Sequence, residues 1–181
     1  MDLVEKKLTN KRIYTGKILN LDVETVQLPN KQTSTREIVH HHGAVGVIAF
    51  IDHKLLLVKQ WREPMQCLTL EIPAGKVEPN CQDLQAEALR ELNEETGYTG
   101  SSLQRVTGFY STPGFSDEYI TLFQVSDVMP VQHKLPLDED EFVTTELLTL
   151  EQANEQVKSG LICDAKTIWT LLFWQQFEGK K

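Results

Sequence analysis

GKVEPNCQDLQAEALRELNEETGY, residues 75–98, is the stretch on which the fold turns. From Asp83 to Thr96 the apolar residues Leu84, Ala88 and Leu92 recur every fourth position with Leu89 beside them. That spacing lays one stripe of an α-helix against a core. Asp83 is suited to cap the first free N–H groups, and Gly97 to make the left-handed stop. The same helix carries four acids: Glu87, Glu91 and Glu95 are spaced by four, and Glu94 falls three after Glu91, so the carboxylates project from one side. Each like-charge pair at that spacing costs about 0.2–0.5 kcal/mol. Glu94 and Glu95 also stand at the negative end of the helix macrodipole, where acids are unfavourable. Selection for stability alone would put them elsewhere. Glu91 and Glu95 lie one turn apart, about 5.4 Å along the axis, and hard oxygen donors at that separation grip one divalent cation or bridge two. The bland alternative is a solvated acidic face with Arg90 paired to Glu94 or Glu87. Upstream, LEIPAGKVEP (70–79) reads as a strand entering a Pro-Ala-Gly turn, which brings backbone carbonyls near Gly75 towards a metal held by the helix.

The rest of the chain frames that helix. With 181 residues, one domain of 1–181 is expected. Its apolar share of 40% and charged share of 24% indicate neither disorder nor a fibrous repeat. Lys and Arg number 18 against 26 Asp and Glu, and the net charge of -8 repels polyanions, which argues against nucleic-acid binding. Apolar runs such as 47–51 fall far short of the roughly 20 residues of a membrane helix. The N-terminal MDLVEKKLTNKR has no apolar segment behind its charges and does not read as a signal peptide. Cys67, Cys81 and Cys163 are odd in number and widely spaced, which suits reduced thiols in a cytoplasm better than disulfides or a zinc site.

Strands are expected at 18–28, ending in the turn Pro29-Asn30, at 35–40, and at 45–51, with Asp52-His53 turning the chain into 54–60 as a hairpin. Two more are expected at 102–111 and 119–125, joined by a loop through Pro113-Gly114. Helices are expected at 150–159 and 164–177, the latter apolar nearly all round and so buried on most sides. The acidic cluster Asp138–Glu141 reads as a loop.

Residues 75–98 resemble the Nudix box, a Gly, a loop and helix, then R-E-apolar-x-E-E-x-G-apolar. Arg90, Glu91, Leu92, Glu94, Glu95, Gly97 and Tyr98 occupy every fixed place of its second half. The first half departs: the interval from Gly75 to Arg90 is one residue longer than in the family, and Cys81 or Gln82 stands where the family has a Glu. The resemblance implies Mg²⁺, or Mn²⁺ in its place, bound by Glu91 and Glu95 with the carbonyl of Ala74, Glu94 being a ligand or a group that positions ligands, and Arg90 orienting the acids. Glu87 lies outside the pattern and reads equally as an exposed helix residue or as a water-mediated metal contact.

The likeness runs from about residue 14 to 174 and is similar to the ADP-ribose pyrophosphatase branch. Pro113 falls sixteen residues after Gly97 within STPGFSDE (111–118), a distance typical of that branch, although a Pro-Gly turn needs no function. REIVHHHGAV (36–45) and VKQWREP (58–64) place Arg36 and Arg62 where the family holds the terminal ribose and diphosphate. A planar guanidinium suits that work, whereas the plain alternative is a surface ion pair. Glu37, Val77, Thr112, Pro113, Gly114 and Glu118 are implied as further substrate contacts. Tyr14 is a candidate for stacking on adenine, though an isolated Tyr more often packs. The run His40–His42 has no ligand role, because neighbouring strand residues point to opposite faces. In LDEDEF (137–142), the resemblance implies a catalytic base on a mobile loop, with Glu141 aligning best and Glu139 second.

The resemblance therefore implies an α/β fold, a Nudix-type α/β/α sandwich with a mixed central sheet as the catalytic core (43–181), preceded by an N-terminal antiparallel strand region (1–42) that in the family commonly builds a homodimer. The expected reaction is Mg²⁺-dependent hydrolysis of ADP-ribose to AMP and ribose 5-phosphate. Hydrolysis of another nucleotide sugar such as GDP-mannose is the alternative, and a ligand-binding domain that has lost catalysis is the alternative of a different class. The complete RELNEETG segment argues against the latter, and the Pro113 loop against nucleoside triphosphate sanitation.

Overall fold

The computed structural model describes residues 2–78 and 80–178. Met1, Pro79 and 179–181, which the expected ranges include, lie outside the described residues. The chain divides into two compact units, Met1–Gly43 with Phe109–Ile120, and Ala44–Gly108 with Thr121–Lys181.

The first unit is built on β1 (Lys6–Thr15), β2 (Leu19–Gln27) and β3 (Thr33–His41), an antiparallel meander in that spatial order. The turn expected at Pro29-Asn30 closes β2 to β3 with Lys31 at φ 69° and the Leu28 N–H bonded to the Gln32 carbonyl at 2.8 Å. Central β2 buries Asp22, Glu24 and Val26 on one face. Two acids on that face explain why its apolar alternation is only partial in sequence. They are neutralised from β1, Asp22 by Arg12 and Asn10, Glu24 by Lys7. All ten residues of β1 are exposed, so no apolar pattern marks this strand and backbone pairing to β2 defines it. The loop expected through Pro113-Gly114 lies along β3: the Val39 N–H donates to the Phe115 carbonyl at 2.8 Å, and the His41 N–H to Asp117 Oδ1 at 2.8 Å.

The second unit begins with β4 (Ala44–Ile48), β5 (Phe50–Ile51), β6 (Lys54–Arg62), β7 (Cys67–Glu71) and β8 (Ala74–Lys76). It continues with α1 (Leu84–Thr96), β9 (Tyr98–Thr99), most of β10 (Ser102–Tyr110) and of β11 (Tyr119–Ser126), β12 (Met129–Pro130), β13 (Val143–Leu148), α2 (Leu150–Ser159) and α3 (Ala165–Glu178). One sheet has the order β10-β11-β4-β8; another has β13-β6-β5, with β7 also paired to β6; β9 and β12 make a small ribbon. The hairpin expected between β5 and β6 forms with Asp52 and His53 both left-handed (φ 49° and 60°), the two-residue turn that matches strand twist. Leu55–Val58 of β6 are buried on both faces, which produces a continuous apolar run rather than an alternation. Val45, Val47, Leu56, Phe123 and Val125 form the core into which Ala88 and Leu92 of α1 insert.

The structure differs from the sequence reading at 70–79. Ala74–Lys76 is no turn: after a break at Ile72-Pro73 it resumes as β8, with Gly75 opposite Val45. Pairing with β4 satisfies the backbone groups of this segment, which a turn at these positions would leave unpaired. The helices match expectation. The α2 helix starts in a reciprocal capping box between Thr149 and Gln152, and Asp164 accepts the Thr167 N–H at the start of α3.

Candidate functional site

The α1 helix is fixed at both ends before its acids are considered. Asp83 Oδ1 accepts from the N–H groups of Gln85 (3.0 Å) and Ala86 (3.1 Å), and Gly97 stops the helix at φ 75° with its N–H on the Asn93 carbonyl at 2.7 Å. The apolar stripe faces the core, which sets the orientation of the acidic side. That side is not solvated: Glu87, Glu91 and Glu95 are 9%, 7% and 4% exposed. The bland reading of an exposed acidic face therefore fails, and so does the exposed reading of Glu87, which is buried against Arg90.

Arg90 holds three of the four acids, pairing with Glu87, Glu91 and Glu94. Glu95 has a different partner: its Oε2 accepts the Ala74 N–H of β8 at 2.9 Å. Gly75 follows for a steric reason, since a Cβ there would stand 1.9 Å from Glu91 Cδ. Only a glycine leaves room for the Glu91 carboxyl over the strand.

One guanidinium does not balance four carboxylates, and two of them, Glu91 and Glu95, are raised in proton affinity chiefly by burial. Burial pushes Glu91 up to about 7; Arg90 opposes this, while Glu94, Glu141 and Glu87 add to it. Burial pushes Glu95 up to about 8, against the Ala74 N–H and Lys166, with Glu91 and Glu141 adding to it. Glu141 thus lies within electrostatic reach of both acids, from an exposed turn in which its N–H bonds the Asp138 carbonyl at 3.0 Å. Among the described residues no three His, Cys, Asp or Glu side chains are already closed into a metal shell. The donor set nonetheless fits a hard divalent cation: buried carboxylate oxygens one helical turn apart, short of positive charge and raised in proton affinity, beside a strand that only glycine lets approach.

Arg62 is placed by a second cluster that the sequence reading missed. Its Nε and Nη2 each donate at 2.7 Å to Glu71, whose carboxylate is also bonded by Thr69 and Lys166. Lys166 bonds Asp164 at 3.0 Å. Burial pushes Glu71 up, but the Arg62 fork and the Lys166 charge overcome it and hold the carboxyl at about 2. Sequence offered one signal, a lone Lys in the apolar α3. Val77, partly buried, packs against the core cluster.

The remaining candidates belong to the first unit. Arg36 pairs with Glu5 and donates from Nη1 to Ser34 Oγ (3.1 Å) and the Thr35 carbonyl (2.9 Å), while Glu37 is exposed. Thr112, Pro113 and Gly114 form an exposed turn in which the Thr112 carbonyl accepts from Phe115 (3.2 Å) and Ser116 (3.0 Å). Glu118 is tied to Ser111 Oγ and stands 3.5 Å from His41 Nδ1. His40 bonds Asp117 at 2.5 Å, and Tyr14 is 57% exposed.

Comparisons with known proteins give the chain's relatives. The family model described as the NUDIX domain matches residues 40–168. An ADP-ribose pyrophosphatase of Bacillus subtilis (strain 168) is 45% identical over 96% of this chain and 94% of its own length. A methanol dehydrogenase activator of Bacillus methanolicus is 42% identical over 98% of this chain and 96% of its own. Among solved structures, one described as an ADP compounds hydrolase superposes with a TM-score of 0.84 over 97% of this chain and 95% of that one, at 16% identity, a likeness of fold.

Proposed function

This chain belongs to the NUDIX domain family, and on that ground we propose that it hydrolyses the pyrophosphate bond of ADP-ribose to AMP and ribose 5-phosphate with Mg²⁺ as its metal. The observation that carries this reading is the buried Glu91–Glu95 pair beneath Gly75. The extended likeness to an ADP-ribose pyrophosphatase supports the substrate.

Glu91 and Glu95 hold the cation, with the Ala74 carbonyl beside them and Glu94 as a further ligand or a positioning group. Arg90 orients Glu87, Glu91 and Glu94, and the Ala74 N–H orients Glu95. Bound there, Mg²⁺ or Mn²⁺ would supply charge neutralisation at the diphosphate and lower the pKa of the attacking water. Glu141 is the proposed base: it takes a proton from that water when the 137–142 loop closes, a motion an exposed loop permits. Arg62 offers the diphosphate the part of its guanidinium that Glu71 leaves unused. Three free cysteines support the cytoplasm as working compartment.

Steady-state turnover of ADP-ribose, GDP-mannose and a nucleoside triphosphate by the purified chain tests the substrate. The expected order places ADP-ribose first in kcat/KM. A higher kcat/KM on either competitor would reassign the substrate.

A further inference from the structure

Outside the acidic helix, the second unit holds a row of alternating charges, Arg62, Glu71, Lys166 and Asp164, of which Glu71 and Lys166 are buried. Glu71, at the end of β7, is 2% exposed and its carboxylate is saturated. Oε1 accepts from Arg62 Nε and from Thr69 Oγ1, each at 2.7 Å; Oε2 accepts from Arg62 Nη2 at 2.7 Å and from Lys166 Nζ. These four bonds fill the lone-pair sites an ionised carboxylate has. Lys166, in the first turn of α3, is 8% exposed, and its ammonium also donates to Asp164 Oδ1.

A buried lysine needs a reason. Apolar replacements of buried ion pairs are often neutral or stabilising, and Glu71 already has a full counter-charge in Arg62. What Lys166 changes is the distribution of that charge. With Arg62 as its sole partner, Glu71 would cancel the guanidinium. With Lys166 on Oε2, the carboxylate is shared between two cations, and the row ends positive at Arg62 and negative at Asp164. The Arg62 side chain is 40% exposed, and Glu71 uses only two of its five or so N–H donors. The rest form an outward edge of the shape that meets phosphate oxygens.

We propose that Lys166 is a positioning residue for Arg62: by bonding Glu71 it locks the guanidinium in one orientation and keeps its outward edge cationic for a diphosphate. This rests on the reading that Arg62 meets the diphosphate of the substrate.

The test is calorimetric titration of inorganic pyrophosphate, at fixed Mg²⁺, into the wild-type chain and Lys166→Met and Lys166→Arg. Lys166→Met is expected to bind about tenfold more weakly at unchanged stoichiometry, with Lys166→Arg closer to wild type because it restores the charge. A purely structural lysine would instead lower the stoichiometry or the thermal midpoint and leave the Kd where it was. Should Lys166→Met fold poorly, Lys166→Met with Asp164→Asn removes one charge of each sign while keeping a competent helix cap, and the same loss is expected. Unchanged Kd in Lys166→Met and in the double variant, or a wild type that does not bind pyrophosphate, overturns the proposal. AMP release from ADP-ribose reports separately on the reaction: a chain with Lys166-dependent pyrophosphate affinity that leaves ADP-ribose intact contradicts the substrate and upholds the role of Lys166.

Discussion

Glu95 is where stability and function pull in opposite directions. Its carboxyl is 4% exposed and its proton affinity is raised to about 8. A group whose folded pKa lies above its unfolded value stabilises the fold fully below the unfolded value, near 4.5, and that contribution is lost as pH rises through about 8. Glu95→Gln removes the titration. In the presence of a chelator, the thermal midpoint of the variant minus that of wild type should therefore grow between those pH values, as followed by circular dichroism. Equal differences across the range would contradict the raised affinity. Because protons and cation compete for the same oxygens, the variant should keep less than about a tenth of wild-type kcat at saturating Mg²⁺, a loss above ~1.4 kcal/mol. Arg62 and Arg36 both have carboxylate partners, Glu71 and Glu5, and Lys at either position loses the paired donor geometry. KM for ADP-ribose should rise in Arg62→Lys and in Arg36→Lys. An unchanged kcat/KM in both would remove these arginines from the substrate's contacts.

Between elements, the decisive approach is that of β8 to α1. Gly75→Ala puts a methyl group into the space of the Glu91 carboxyl. The backbone there needs no left-handed conformation and the carboxyl is the movable end of its side chain, so the variant should fold with a near-native midpoint yet need more Mg²⁺ for half-maximal rate. A native Mg²⁺ requirement would show that Glu91 does not depend on that cradle. Variants of the 137–142 loop test whether proton transfer is separate from metal binding. Glu141→Gln should lower kcat by roughly 10²- to 10⁴-fold while Mg²⁺ dependence and KM change much less, and Glu139→Gln should do less damage. Full activity in the double variant would return the search for a base to Glu94. These elements were unequally legible. The α1 helix was readable because its stripe, cap and stop agree, and the acids stood out because their placement opposes stability. β8 was not, because only pairing with Ala44–Gly46 makes Ala74–Lys76 a strand. β1 was hidden by its full exposure. The Glu71–Lys166 bond joins residues 95 positions apart, and no local spacing reports such a contact.

Over the whole molecule, β1 is the feature that points outward. It is an edge strand with all ten residues exposed, Leu8, Ile13 and Tyr14 among them, and an exposed apolar edge invites another chain. Sedimentation equilibrium should find twice the 20.7 kDa chain mass, and Leu8→Glu with Ile13→Glu should return it to that of one chain. A wild type of one-chain mass would end the homodimer proposal. The reaction itself is tested most directly by incubating the purified chain with ADP-ribose, with Mg²⁺ and then with excess chelator, and identifying the products by chromatography against standards. AMP and ribose 5-phosphate in equal amounts, formed only with the cation and not by Glu95→Gln, is the result expected. Intact ADP-ribose in the presence of Mg²⁺, or cleavage that survives chelation, would contradict it.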